Sequence, residues 1–397
     1  MKIKNILVKE IFDSRGEPTI EVGVSNFKSS WFFAQIPSGK SRGKNEAAVL
    51  NTKKAIIALK KIRKEIIGKE FNSISALDKK LIKLDGTKNK SKLGGNLMLG
   101  ISIAFARVLA AEENKEVWQA LRQEFFPKAK NKNPYIFSNL INGGTHAKNN
   151  LNIQEFMVIA KSQKSISVSV KNTIKIYKAL GEFLKKQNKL KNLSLGDEGG
   201  YSLNFKNNFE PFEILERVIK KLNLQKEFLL GMDAAASQFY KNNKYDFDGK
   251  KVSNDKLGRI YNDYFRKSKN LFSIEDPFAE KDFQGFKNLK QIIKNALIVG
   301  DDLTATNPKL IAKFARQNLI NSVIIKPNQI GTITETCEAI KTAEKNKLKV
   351  IISHRSGETE DNFIIHLAKA CSAFGVKIGA PIRERIFKFD ELIELYG

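Results

Sequence analysis

LFSIEDPFAEKDFQGFKNLKQIIKNALIVGDDLTATNPKLIAKFARQNLINSVIIK, residues 271–326, contains three short apolar runs that end on charged residues, Glu275, Asp301 and Lys326. These ends stand 26 and 25 residues apart, the length of one strand, one helix and two loops. Upstream, FLLGMD (228–233) ends on Asp233; downstream, VIIS leads into His354 and FGV into Lys377. The repetition predicts a (β/α) barrel, where residues at the C-terminal ends of the strands converge on one mouth. Glu155 after NIQ, and Asp197 and Glu198 after LSLG, are expected at that mouth as further strand ends. An open doubly wound sheet is the alternative. It usually carries a glycine-rich phosphate turn, and GGTHA and DEGG have the wrong spacing for one.

Before this region, residues 4–34 alternate apolar and polar positions, which predicts a hairpin or small antiparallel meander. Helical spacing follows over 45–67, 73–84 and 95–123. The chain therefore reads as an α+β domain over 1–128 and a barrel over 129–397, with the charged, proline-bracketed FPKAKNKNP (126–134) as linker. A length of 397 residues, 42% hydrophobic, is ample for a barrel core and one companion domain. The opening MKIKNILVKE has no apolar segment of signal-peptide length, and no run is expected to span a bilayer, so a cytoplasmic protein without membrane insertion is expected. Cys337 and Cys371 lack CxxC spacing, which points to neither a disulfide framework nor a zinc site.

Net charge is +27. Such a field attracts nucleic acid, anionic surfaces or phosphorylated substrates. The lysines alternate with Ile, Leu and Ala at helical spacing, so a compositional origin is the better reading, and RNA or anionic-surface binding is a secondary role at most.

Asp233, Glu275 and Asp301 are three hard oxygen donors, a set suited to magnesium that keeps its other positions for water and substrate. A single acid at a strand end is more often a helix cap; three on neighbouring strands favour a metal. Asp276 and Asp302 read as capping or supporting groups. Lys326 at the end of an apolar strand is expected to have its pKa lowered by burial, as a general base needs, with a structural ion pair as the alternative. Glu198, on the glycine-flanked GDEGG loop, is the natural acid opposite it. His354, Arg355 and Ser356 combine a cation, a planar donor fork and a hydroxyl, an anion clamp matched to phosphate. His146, taken alone, reads as a solvent-facing loop histidine, and His366 as structural. The glycine-containing PSGKSRGKNEA (37–47) can fold over a ligand as a lid.

These segments together resemble the enolase family. DSRGEPTIEV (13–22), PSGKSRG (37–43), LDGTKNKSKLGGN (84–96), INGGTHAKNNLNIQEFM (141–157), LGDEGG (195–200), SIEDPFAEKD (273–282), GDDLTATNP (300–308), IIKPNQIGT (324–332), SHRSGETED (353–361) and KIGAP (377–381) are similar to family blocks in family order. The resemblance implies an N-terminal α+β capping domain followed by an enolase-type (β/α)8 barrel, and Mg2+-dependent, reversible dehydration of 2-phosphoglycerate to phosphoenolpyruvate. It assigns Lys326 as base and Glu198 as acid, with His354, His146 and Glu155 beside them as catalytic groups. Gln154, Glu155, His146, Arg355, Ser356 and Lys377 then bind substrate. Asp233, Glu275 and Asp301 hold the first of two magnesium ions, and Ser41 helps to hold the second. A homodimer, or an octamer built of dimers, is also implied.

Several positions depart from the family pattern. Lys40 and Arg42 replace small residues in the lid loop, Ile378 replaces a threonine, Gln238 a glutamate, and Glu394 an arginine that often pairs across the dimer with the counterpart of Glu21. The rival readings are another metal-dependent barrel acting next to a carboxylate, and a basic binding protein on an inactive scaffold.

Overall fold

The alternation near the N-terminus is realised as a three-stranded antiparallel meander, seen in a computed structural model that describes every residue except 29, 41, 42, 44 and 162–164. Its strands are β1 (Ile3–Phe12), β2 (Pro18–Asn26) and β3 (Trp31–Gln35). Helices α1 (Thr52–Ile66), α2 (Ile74–Asp85), α3 (Gly95–Glu112) and α4 (Val117–Phe125) follow. Asn51 and Ser73 cap the first two by accepting the amides of Lys54 and Ala76.

Two of the expected helical spans are shorter than the periodicity suggests. Residues 45–51 stay out of α1 because their backbone bonds sideways: the Ala47 amide to Gln329 O at 2.8 Å and the Ala48 amide to Asn89 O at 2.7 Å. The expected 95–123 helix is broken at Asn114, which takes a positive φ of 51°, and restarts on a capping box between Glu116 and Gln119. The expectation that no run could cross a bilayer also needs correction. By length and composition α3 is long and apolar enough. Of that window 78% is buried inside the protein; α3 is the core helix on which the meander rests.

After 126–134, which carry neither helix nor strand, come β4 (Tyr135–Asn142), β5 (Glu155–Ala160), α5 (Ile166–Asn188), the two-residue strands β6 (Ser194–Leu195) and β7 (Tyr201–Ser202), α6 (Glu210–Lys221) and β8 (Phe228–Asp233). A small antiparallel sheet of β9 (Tyr240–Lys241), β10 (Lys244–Phe247) and β11 (Lys250–Val252) precedes α7 (Asn254–Lys267). Regular alternation then runs through β12 (Leu271–Glu275), α8 (Phe283–Ile292), β13 (Leu297–Gly300), α9 (Pro308–Arg316), β14 (Ser322–Ile325), α10 (Pro327–Ile330), α11 (Ile333–Lys345), β15 (Lys349–Ser353), α12 (Phe363–Cys371), β16 (Gly375–Ile378) and α13 (Ile386–Tyr396).

Eight strands close the barrel in the order β4, β5, β8, β12, β13, β14, β15, β16, with β16 pairing back to β4. All neighbours are parallel except at β5, which runs antiparallel to both β4 and β8. Glu155 is therefore not the end of a strand, as the sequence suggested, but its first residue, and the reversal brings it to the same mouth. LSLG is not a barrel strand either. Its two-residue β6 forms an outer hairpin with β7, which joins β4 through Ile141 and Tyr201. Below the mouth, Phe137, Met157, Ile159, Leu297, Val299, Ile324 and Ile351 form an apolar cluster of their own, so the barrel is plugged rather than open.

The α+β unit and the barrel are joined by polar contacts as well as packing. Asp78 of α2 is buried and accepts from the Thr334 amide at 2.8 Å and its hydroxyl at 2.7 Å, in the first turn of α11. Burial pushes its pKa up to about 6. A carboxyl whose folded value lies above 3.8 holds its proton more tightly when folded, so this group's contribution to stability is lost as pH rises through about 6.

Two outcomes are expected. Gly100→Ala, whose new methyl would run into Val22 where α3 meets β2, should lower unfolding free energy by about 1–3 kcal/mol in urea titrations. For Asp78→Asn, the stability of wild type minus variant should fall as pH rises from about 4 to about 7; a constant difference would refute the Asp78 assignment.

Candidate active site

Strand register decides the centre of the mouth. Glu155 pairs with Asp233 and Asp233 with Glu275, so three buried carboxylates stand side by side on β5, β8 and β12. Adjacent like charges out of water are unfavourable. The ammonium of Lys377, from β16, answers them: it lies 2.9 and 2.8 Å from the Glu275 oxygens, 3.0 Å from Glu155 Oε2 and 3.7 Å from Asp233 Oδ2. Burial works against its charge, but Glu155, Glu275 and Asp233 outweigh that and hold its pKa well above the ordinary lysine value. Burial pushes Glu155 up, helped by Glu198, and pushes Glu275 up despite Lys377.

A second pair lies next door, where Lys326 Nζ donates to Asp301 Oδ2. The expected lowering of the lysine's pKa is overturned. Burial does act in that direction, but Asp301 prevails and the net shift is upward. The same contact holds Asp301 below its usual range against the effect of burial. Asp276, at a positive φ of 39°, accepts the Asp301 and Asp302 amides at 3.0 and 2.7 Å. It is the supporting group the sequence suggested, and it fixes the chain as it leaves β13.

Across the mouth, Glu198 rides on a tight turn between Gly196 and Gly200. Its Oε2 accepts from Asn139 Nδ2 at 2.9 Å, while Oε1 faces His146 Nδ1 at 3.6 Å and His354 Nε2 at 3.7 Å. His146 is not the solvent-facing residue that the sequence suggested. The short helical turn Gly144–His146 carries it into the site, where it is buried. Burial pushes both histidines down. For Glu198 burial acts upward, but His354, His146 and Lys377 hold the carboxyl below the ordinary range.

Gln154 links the halves. Its Nε2 donates to Asp233 Oδ2 at 3.1 Å, and its Oε1 accepts from Gln238 Nε2 at 2.7 Å and Thr145 Oγ1 at 3.0 Å. The amide at 238 thus aims the Gln154 amino group at Asp233, a donation that a carboxylate there could not make. Arg355 Nη1 donates to Asn328 Oδ1 at 2.8 Å and lies 3.3 Å from Glu46 Oε2.

One cavity gathers these groups. It is lined by His146, Gln154, Glu155, Glu198, Asp233, Asp301, Lys326, His354, Arg355, Ser356 and Lys377. Glu275 sits against Lys377 and is not among the lining residues; Ser41, with Arg42, lies outside the described residues. Three residues that sequence reasoning missed also serve the site. Asn139 holds Glu198. Arg385 donates to Ser356 O at 2.9 Å from a position against Gly379, where a Cβ would collide with it. Lys388, buried, donates to Thr359 O at 2.7 Å and faces Glu358 at 3.4 Å. Only the alternation of β4 could have flagged Asn139; nothing local marked the other two.

Comparison with known proteins settles the relationship. A family model described as the N-terminal domain of enolase matches residues 3–121, and one described as its C-terminal TIM barrel domain matches 131–396. The chain belongs to the enolase family. Enolase of Ehrlichia ruminantium (strain Gardel) is 41% identical over 99% of this chain and 96% of its own length. Enolase of Natranaerobius thermophilus is 38% identical over 100% and 96%, and that of Sulfolobus acidocaldarius 36% over 99% and 95%. Enolase is phosphopyruvate hydratase, a hydro-lyase acting on a small phosphorylated compound, and the family is metal-dependent.

For a metal, the described residues of this chain bring one group of donors together. His146, Glu155 and Glu198 each present a ligand atom within 4.8 Å of the others. Asp233, Glu275 and Asp301, the ligands that the resemblance implies, have the ammoniums of Lys377 and Lys326 against them. Of the departures, Ile378 is fully buried in β16; Glu21, which matches the family residue, is engaged within the chain by Lys9 at 2.6 Å and Gln35 at 3.0 Å.

Lys377→Met should leave the carboxylates on β5, β8 and β12 uncompensated and lower the unfolding free energy of chelator-treated protein by about 3–5 kcal/mol in urea titrations. Wild-type stability in the variant would mean that this lysine does not organise the mouth.

Proposed function

We propose that this member of the enolase family dehydrates 2-phosphoglycerate to phosphoenolpyruvate reversibly, with Lys326 as the base and Glu198 as the acid. The observation that carries the assignment is their placement: a lysine and a carboxyl on facing rims of one cavity, each with its own partners. We also place the domain boundary at 128/129 and infer a cytoplasmic homodimer, or an octamer of such dimers.

Two magnesium ions are part of this reading. Asp233, Glu275 and Asp301 would hold the first and Ser41 would help to hold the second. The donor set fits a hard cation better than the trio containing His146, because all of its atoms are carboxylate oxygens. The charge balance fits as well, since the carboxylates of the mouth outnumber its lysines. When bound, magnesium supplies the positive charge that makes a proton beside a carboxylate removable.

Lys326 Nζ takes the proton from C2 of the substrate. Burial favours its neutral form and Asp301 opposes it, so the grip of that carboxylate sets how readily the amine is available. Glu198 assists loss of the C3 hydroxyl by delivering a proton to it. In the resting cluster Glu155 is pushed up while His146, His354 and Glu198 are pushed down, so Glu155 is the group that holds a proton and Glu198 must gain one before it acts as the acid. His146 Nδ1 lies between the two carboxyls, 4.0 Å from Glu155 and 3.6 Å from Glu198. Arg355 and Ser356 receive the phosphate, and Gln154, Lys377 and His354 complete the walls. The apolar plug beneath excludes water from the strand ends.

Phosphoenolpyruvate absorbance should appear when 2-phosphoglycerate and magnesium are added and vanish with a chelator. Folded, metal-loaded protein without product would favour a different acid substrate or a basic binding scaffold. Lys326→Ala should abolish exchange of the C2 proton with solvent, whereas Glu198→Gln should keep exchange and stop dehydration. Normal exchange in the lysine variant would overturn the roles.

A further inference from the structure

Backbone at residues 37–40 crosses the mouth as a strap. Along one rim it is stitched to the loop after β15: Ser38 and Gly357 exchange backbone hydrogen bonds of 2.8 and 2.9 Å, and the Lys40 amide donates to Ser356 Oγ at 3.0 Å. Asn328 Nδ2 adds a bond to Pro37 O at 3.0 Å. Toward the opposite rim, among the described residues, the strap's hydrogen bonds all come from one atom. Lys40 Nζ donates to Asp197 Oδ2 at 2.7 Å and to Thr145 O at 2.5 Å.

Both acceptors adjoin site residues, Asp197 next to Glu198 and Thr145 next to His146. They already form one unit, since the Asp197 amide donates to His146 O at 3.0 Å. Only a long side chain with several donors can reach both acceptors at once. The bland alternative is an idle surface ion pair, because such pairs contribute little and the Lys40 side chain is 44% exposed. Against that reading stand the second, main-chain acceptor and the place of Lys40 in the cavity wall.

We propose that Lys40 is a positioning residue, a clasp that fixes the rim bearing Glu198 and His146 to the rim bearing Arg355 and Ser356. The clasp sets the distance between the phosphate end and the acid end of the site before substrate arrives. Its role in turnover rests on the enolase reading above; its role in holding the rims together does not.

The test uses the full chain with Lys40→Met and Lys40→Arg. Without substrate, amide hydrogen exchange at Ser38, Lys40 and Asp197 should quicken about two- to fivefold in the methionine variant, the scale of one partly exposed ion pair. KM for 2-phosphoglycerate should rise by a similar factor while kcat changes less. Arginine should restore most of both, and added salt should raise KM in wild type more than in the methionine variant. Unchanged exchange and KM in Lys40→Met would overturn the proposal. Faster exchange with unchanged KM would also overturn it, leaving a tether that positions nothing. An inactive wild type whose exchange still responds to Lys40→Met would instead defeat the enolase substrate reading and leave the clasp intact.

Discussion

Lys377 among Glu155, Asp233 and Glu275 is the contact on which the mouth of this barrel depends. Three strands in register deliver three carboxylates to one level, and all three are buried. A lone buried charge costs several kcal/mol even after relaxation, so the arrangement requires a cation at its centre. Lys377 provides it from the last strand of the barrel. An excess of carboxylate remains, and it is the charge that the proposed magnesium would answer.

The reversal of β5 follows from the same requirement. A parallel second strand would present its C-terminal residue, Ala160, at the mouth. Run backwards, β5 presents Glu155, and the loop from 143 to 154 that turns the chain supplies His146 and Gln154 on the way. One departure from uniform β/α alternation thus provides three polar groups to the site. The α+β unit adds to the opposite side: Glu46 faces Arg355 at 3.3 Å, and Asp13, Arg15 and Ser38 form a hydrogen-bonded trio beneath the strap.

The sequence disclosed much of this, and unevenly. Strand ends from 275 to 377 were legible because the apolar runs lead into charged or histidine residues at a repeating spacing, and Asp233, 42 residues before Glu275, was legible from its apolar run alone. Glu155 was placed at the mouth on mistaken grounds, since the pattern of six residues does not state the direction of a strand. Glu198 was assigned to a barrel strand because LSLG is apolar enough to pass for one, whereas only pairing with Tyr201 makes it an outer hairpin. The upward shift of Lys326 could not be read locally, as burial alone predicts the reverse and Asp301 comes from the neighbouring strand. Arg385 and Lys388 were invisible for a similar reason. They lie in a helical, charged segment near the end of the chain, and only the fold brings that segment beneath the loop after β15.

The seam between β4 and β16 has a consequence for how the barrel folds. Val376 pairs with Ile136, so the barrel closes only when its last strand reaches its first. Until then β5, β8 and β12 have their carboxylates but not Lys377. The charge that lets the mouth be buried is thus carried by the strand that closes the barrel, so neutralisation and closure are one event.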